Sequence, residues 1–165
     1  MANIIIGFSK PKTRFAIFAF AIKRFESTEY SHCYIKFKTF SGPPLVCQAS
    51  KGMLNFMSPK AFDMHNIIVK EFSLDIPFEQ LTQIKIKSIE KAGLPYSIKQ
   101  IIGIVFARIF KLKVNPFDTD ENTFVCSEWV GQVLKSIGAE LDKDLSLLTP
   151  KDIYKYLEKH YGNIN

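Results

Sequence analysis

The chain has 165 residues and a net charge of +6, with 47% apolar and 23% charged residues. That length suits one domain able to bury a core without disulfides, and the composition excludes a disordered tail, a collagen-like repeat and a disulfide knot. The excess charge fits either a solvated basic surface or attraction to an acidic polymer or membrane face; with no block of like charges and no recognisable nucleic-acid module, nucleic acid is not an expected partner.

Asn3 to Phe8 contains three consecutive isoleucines and predicts a buried strand, ended by the turn signal Ser9-Lys10-Pro11. Phe15, Phe18, Ile22 and Phe25 recur at helical spacing. Ser31 to Phe37 alternates, with Cys33, Ile35 and Phe37 on one face and His32, Tyr34 and Lys36 on the other, the pattern of a half-buried strand. The turn cluster Ser41-Gly42-Pro43-Pro44 leads to a returning strand over Leu45–Ser50, with a third over Gly52–Phe56 and another over Ile67–Leu74.

Pro77 suits the first helical position and Gly93 a residue past the end, so a helix is predicted over 77–92. Ile98, Ile101, Ile102, Val105, Phe106 and Ile109 form a stripe on a second helix that also carries Lys99, Arg108 and Lys111. The stripe is expected to pack on the protein's own core, although a basic amphipathic helix can also lie on a membrane surface. After a polar loop over Asn115–Asn122, Thr123 reads as the N-cap of a helix reaching Ile137, with Gly138 beyond it. Thr149-Pro150-Lys151-Asp152 reads as N-cap, N1 proline and capping-box acid of a last helix over about 150–160. Strands fill the first half and helices the second, without repeat or linker, so residues 1–165 read as a single α+β domain. Phe contributes 15 residues, which predicts an aromatic-rich core.

The start of the chain lacks the basic-then-apolar layout of a signal peptide, and no window is apolar enough for a spanning helix. The expected location is cytoplasmic as synthesised, with packaging in a virus particle or delivery by a phage as the alternative. Three cysteines without paired spacing, Cys33, Cys47 and Cys126, argue against a disulfide framework.

Cys126 would sit near the third position of the helix that follows Thr123. Unpaired N–H groups and the positive helix end stabilise a thiolate there and can hold an oxyanion. The same position also suits a small buried apolar residue on the Trp129, Val130, Val133 face. His32 projects from a strand, where it can serve as general base toward a thiol or simply meet solvent. Gln48 would share a face with His32 if the two strands pair in an even register, such as one whose partner numbers sum to 80, and would then orient the imidazole; an odd register would separate them. His65 and His160 do not look catalytic, and Ser127 lacks a nucleophile elbow. A zinc site from His32, Cys33, Cys47 and Cys126 is disfavoured, because neighbouring strand residues point to opposite faces. No metal and no cofactor are expected.

Three blocks carry a resemblance: Tyr30-Ser31-His32-Cys33-Tyr34-Ile35-Lys36-Phe37, Val125-Cys126-Ser127-Glu128-Trp129-Val130, and Leu148-Thr149-Pro150-Lys151-Asp152-Ile153-Tyr154. Together with Ile5-Ile6-Gly7-Phe8-Ser9 and the Asn115-Pro116-Phe117 loop, they resemble the permuted branch of the NlpC/P60 papain-like superfamily, including its YiiX-like and phage-encoded members. In that branch the histidine precedes the cysteine, as His32 precedes Cys126 here. The resemblance implies a small antiparallel sheet or barrel packed against a helix that bears the cysteine. It implies Cys126 as nucleophile, His32 as base and Gln48 at the third position, where many relatives carry an acid; Glu128 or water could then assist. Family activities include peptidoglycan endopeptidases and amidases, and lipid acyltransferases and thioesterases. The expected function is therefore a cysteine hydrolase of amide bonds, with peptidoglycan peptide as substrate. A lipid acyltransferase or thioesterase, or a non-catalytic virion or binding component, is the alternative.

Overall fold

The computed structural model describes residues 1–13, 24, 26–38, 42–50, 52–95, 97–117, 123 and 125–162. Among them, strands β1 (Ala2–Pro11), β2 (His32–Phe37), β3 (Leu45–Ser50), β4 (Met53–Met57) and β5 (Asn66–Ile76) form one sheet. Its order is β4-β3-β2-β1-β5 and every neighbouring pair is antiparallel. β4 and β5 end the sheet without pairing to each other, so it is an open sheet and the barrel alternative falls. The described helices are α1 (Pro59–His65), α2 (Phe78–Glu90), α3 (Ile98–Phe110), α4 (Cys126–Ser136) and α5 (Pro150–Tyr161), with a 3-10 turn at Leu145–Leu147. The class is α+β. The helix expected over Phe15–Phe25 falls almost wholly outside the described residues.

The core lies on one face of the sheet. Ile4, Ile6 and Phe8 of β1, Cys33, Ile35 and Phe37 of β2 and Cys47 of β3 meet Trp129, Val130, Val133 and Leu134 of α4 and Ile153 and Leu157 of α5. Each of the larger side chains contributes about 1.5–3 kcal/mol by leaving water. The expected aromatic core centres on Phe8, whose ring lies 5.1 Å from Tyr30, 5.9 Å from Phe72 and 5.2 Å from Tyr154.

The other face of β2 differs from expectation. Tyr34 is buried with Val46 and Phe62 rather than facing water, because α1 packs over that side. Its ring stacks at a tilt on Phe62, 4.5 Å away, and its hydroxyl donates to Glu71 Oε1 at 2.6 Å. Gly7 is required beneath it, since a Cβ there would overlap the tyrosine ring. α1 is too short to show a periodic stripe. Its signals are local: Ser58 caps the Ala61 N–H at 3.2 Å, followed by Pro59.

The capping box of α5 forms as read, with Thr149 and Asp152 bonding reciprocally, and Gly138 follows the end of α4 with φ +91°. Thr123 does not cap α4. The N-cap is Val125, and Cys126 is the first helical residue instead of the third.

α3 is the largest departure. Its buried residues are Gln100, Gly103, Ile104 and Ala107, whereas Ile98, Ile102, Phe106 and Ile109 of the expected core stripe are exposed. Polar groups fix the inner side. Asn115 Nδ2 donates to the carbonyls of Gln100 and Ser146 at 3.0 and 3.1 Å, pressed so close to α3 that only glycine fits at position 103. Arg108 pairs with the buried Glu26 at 3.0 Å. These polar anchors decide which side of the helix faces inward, and apolar periodicity cannot report them.

Candidate active site

Cys126 is 4% exposed and opens α4 directly above β2. A helix that starts on a cysteine leaves its first N–H groups without intrahelical partners. Val125 offers no side-chain cap, and the positive end of the helix lies at Cys126.

His32 is the first residue of β2. β2 and β3 pair with Ile35 opposite Cys47 and Lys36 opposite Val46, which is an even register. It is shifted by one step of the side-chain repeat from the register that would set Gln48 directly opposite His32, and it keeps both residues on the same face. The bond follows: His32 Nε2 lies 2.8 Å from Gln48 Oε1. An amide oxygen only accepts, so Nε2 carries the proton; the Cys126 sulfur lies close enough to act on the ring through its charge. Gln48 is itself buried, and its Nε2 donates to Met57 Sδ at 3.4 Å, which holds the amide in that orientation. The structure thus brings Cys126, His32 and Gln48 together as one relay.

Cys33 joins them and was not foreseen. It lies against the Cys126 sulfur, close enough for its thiol and backbone N–H to favour a thiolate there. Alternation separates neighbours in mid-strand, but His32 is the terminal residue of β2 and its ring reaches the sulfur from the strand end. The reason for disfavouring a shared site for His32 and Cys33 is therefore overturned. Among the described residues, no group of three or more His, Cys, Asp or Glu side chains has the geometry to hold a metal ion. The only sequence signal for Cys33 was its place next to His32, on the face that α4 covers.

These contacts separate the three thiols. The Cys33 hydrogen bond and then the charge and hydrogen bond of His32 hold Cys126 well below the ordinary thiol range, against the opposing effect of burial. For His32, burial pulls the imidazole down, but the Cys126 charge and the bonds to Cys126 and Gln48 prevail and raise it. Both shifts favour the thiolate–imidazolium form of the pair. Burial and the neighbouring Cys126 push Cys33 far up. Burial pushes Cys47 up to about 12, although Ser88 and Trp129 bond its sulfur.

Ser127 is occupied, donating to the Leu148 carbonyl at 2.6 Å. Glu128 is buried in the first turn of α4, with Gln132 Nε2 at 3.5 Å from its Oε1. His65 and His160 are both exposed. On the far side of Cys126 lies an apolar cavity of about 30 Å³, walled by Ile101, Ile104, Val105, Val125, Leu148 and Pro150, with Glu26 at its margin. Glu26 was not singled out from sequence. It is buried, joins Arg108 of α3 to the Lys151 N–H at the start of α5, and has its carboxyl raised chiefly by burial.

No family model matches the chain, and neither does any curated protein. No described helix is long and apolar enough to cross a membrane.

Proposed function

We propose that the protein is a cysteine hydrolase that cleaves amide bonds through an acyl-enzyme on Cys126. The observation that carries this reading is the cluster of Cys126 with His32, whose ring is bonded to Gln48, at the first residue of a helix. The Cys126 thiolate attacks the carbonyl carbon, and the first N–H groups of α4 receive the oxyanion, a contribution of roughly 3 kcal/mol per donor. The intermediate collapses with loss of the amine, which takes the Nδ1 proton of His32. The neutral imidazole then removes a proton from water, the hydroxide attacks the thioester, and the carboxylic acid leaves, losing its proton to solvent, as the thiolate–imidazolium pair is restored. Gln48 supplies orientation without charge. The permuted NlpC/P60 resemblance, with its circularly permuted papain-like fold, supports a peptidoglycan peptide as substrate, and the basic surface is compatible with that acidic polymer.

The resemblance also carries a second reading, hydrolysis or transfer of a lipid-borne acyl group, although the apolar cavity beside the sulfur, at about 30 Å³, is too small for an acyl chain. Assays on purified peptidoglycan and on an acyl thioester separate the two. The common mechanism is tested with iodoacetamide at neutral pH. Cys126 is expected to alkylate before Cys33 and Cys47, and Cys126→Ala to abolish both that label and turnover. Alkylation no faster than free cysteine, together with turnover surviving in Cys126→Ala, overturns the reading.

A further inference from the structure

We propose that the outward face of α3 and the loop after it form a docking surface for an anionic lipid bilayer. The helix is packed inside out. Its inner side carries Gln100, Gly103, Ile104 and Ala107, held by Asn115 and by the Arg108–Glu26 pair. Opposite that side stand Ile98, Ile102, Phe106, Ile109 and Phe110, with Ile102 51% and Ile109 63% exposed. Val114 and Phe117 extend the patch, and the Phe106 ring lies 4.3 Å from Phe110 and 6.2 Å from Phe117. So much contiguous apolar surface on one helix marks a contact site.

Charge selects the occupant. From Lys91 to Phe117 the chain carries Lys91, Lys99, Arg108, Lys111 and Lys113 and no acid; Arg108 is paired with Glu26, and Asp118, Asp120 and Glu121 follow next in the sequence. Lys99, Lys111 and Lys113 are exposed at the two ends of the apolar face. Lys111 and Lys113 also line a groove with Asp142 and Asp144, on the side of the helix that carries Ile104 and Ala107. Two copies joined through this face would oppose their own lysines, since a two-fold contact pairs each surface with itself. An anionic bilayer instead accepts apolar side chains below its headgroups and lysines among them. It also demands no complementary pocket for a convex ridge. A helix of 13 residues is about 20 Å long, enough to lie in the interface but not to cross it.

The test is flotation of the full chain with vesicles of phosphatidylcholine alone or of phosphatidylcholine and phosphatidylglycerol in equal parts. Co-flotation is expected with the anionic vesicles, weakening with added salt. Ile102→Glu/Ile109→Glu is expected to reduce partitioning by roughly tenfold or more, and Lys99→Glu/Lys113→Glu to remove the preference for phosphatidylglycerol. Ile68→Glu, on the exposed side of β5, serves as control and is expected to float like the wild type. Thermal melting checks that each variant is folded. Cys126→Ala should also float unchanged, so binding is read independently of turnover. The proposal fails if the wild type floats with neither vesicle, or if the folded isoleucine variant floats as well as the wild type. It also fails if the chain instead forms a dimer that this variant dissolves.

Discussion

α3 and α4 have sequences that read alike, each an amphipathic helix of similar length, yet they meet the protein in opposite ways. From Cys126 to Gly131 every residue of α4 is buried, polar and apolar alike. α3 buries little more than Gln100, Gly103, Ile104 and Ala107 and turns its bulkiest side chains outward. One helix is therefore part of the core and holds Cys126 within it; the other buries one side and leaves its bulkiest side chains at the surface. Amphipathicity alone does not distinguish these uses. What distinguishes them is whether the partner groups of the surrounding elements meet the apolar or the polar side.

The largest effects should come from the site at the start of α4. His32→Ala is expected to lower kcat/KM by roughly 10²–10⁴-fold and to slow Cys126 alkylation at neutral pH. Gln48→Ala should cost about tenfold, because orientation is lost while the base remains. Steady-state turnover and alkylation rates check both. Equal loss from the two substitutions would mean that the amide does more than orient.

Stability sharpens the contrast next. Trp129→Ala in α4 removes a 2% exposed indole and should destabilise by about 3–5 kcal/mol. Ile109→Ala in α3 should change stability by less than about 0.5 kcal/mol. Urea unfolding measures both. A comparable loss at Ile109 would show that its side chain packs on something in the folded protein.

The pH dependence is the finest test. Cys126 is lowered and His32 raised, so turnover should hold between their two values. It should fall on acidification as the thiolate takes a proton, and on alkalinisation as the imidazolium loses the proton needed by the leaving amine. Cys33→Ala removes the foremost cause of the Cys126 depression. The acid limb should therefore move to higher pH, toward the ordinary thiol value of about 8.5. The measurement is the pH profile of Cys126 alkylation. An unmoved profile would leave Cys33 with packing alone.

Much of the site was legible before any coordinates. The even register that joins Gln48 to His32 was one of two alternatives, and the turn at Ser41–Pro44 made the strand pairing readable. Cys126 was placed at a helix start, though at the third position instead of the first, because Thr123 is a better cap by type than Val125 and the chain does not use it. Cys33 was hidden by the assumption that alternation isolates neighbours, which fails at a strand end. α1 was hidden by its brevity, and with it the burial of Tyr34.

The amino-acid order by itself determined where the strands lie, most helix ends and which residues share a face, because turn chemistry, capping and side-chain period act over a few neighbouring residues; the turn read at Ser9–Pro11 is instead strand, held by pairing with β5. Only the tertiary structure decided which face is covered. Asn115, Glu26 and α1 reach their targets from distant parts of the chain, and a pattern of period 3.6 or 2 is the same whichever of its sides they choose.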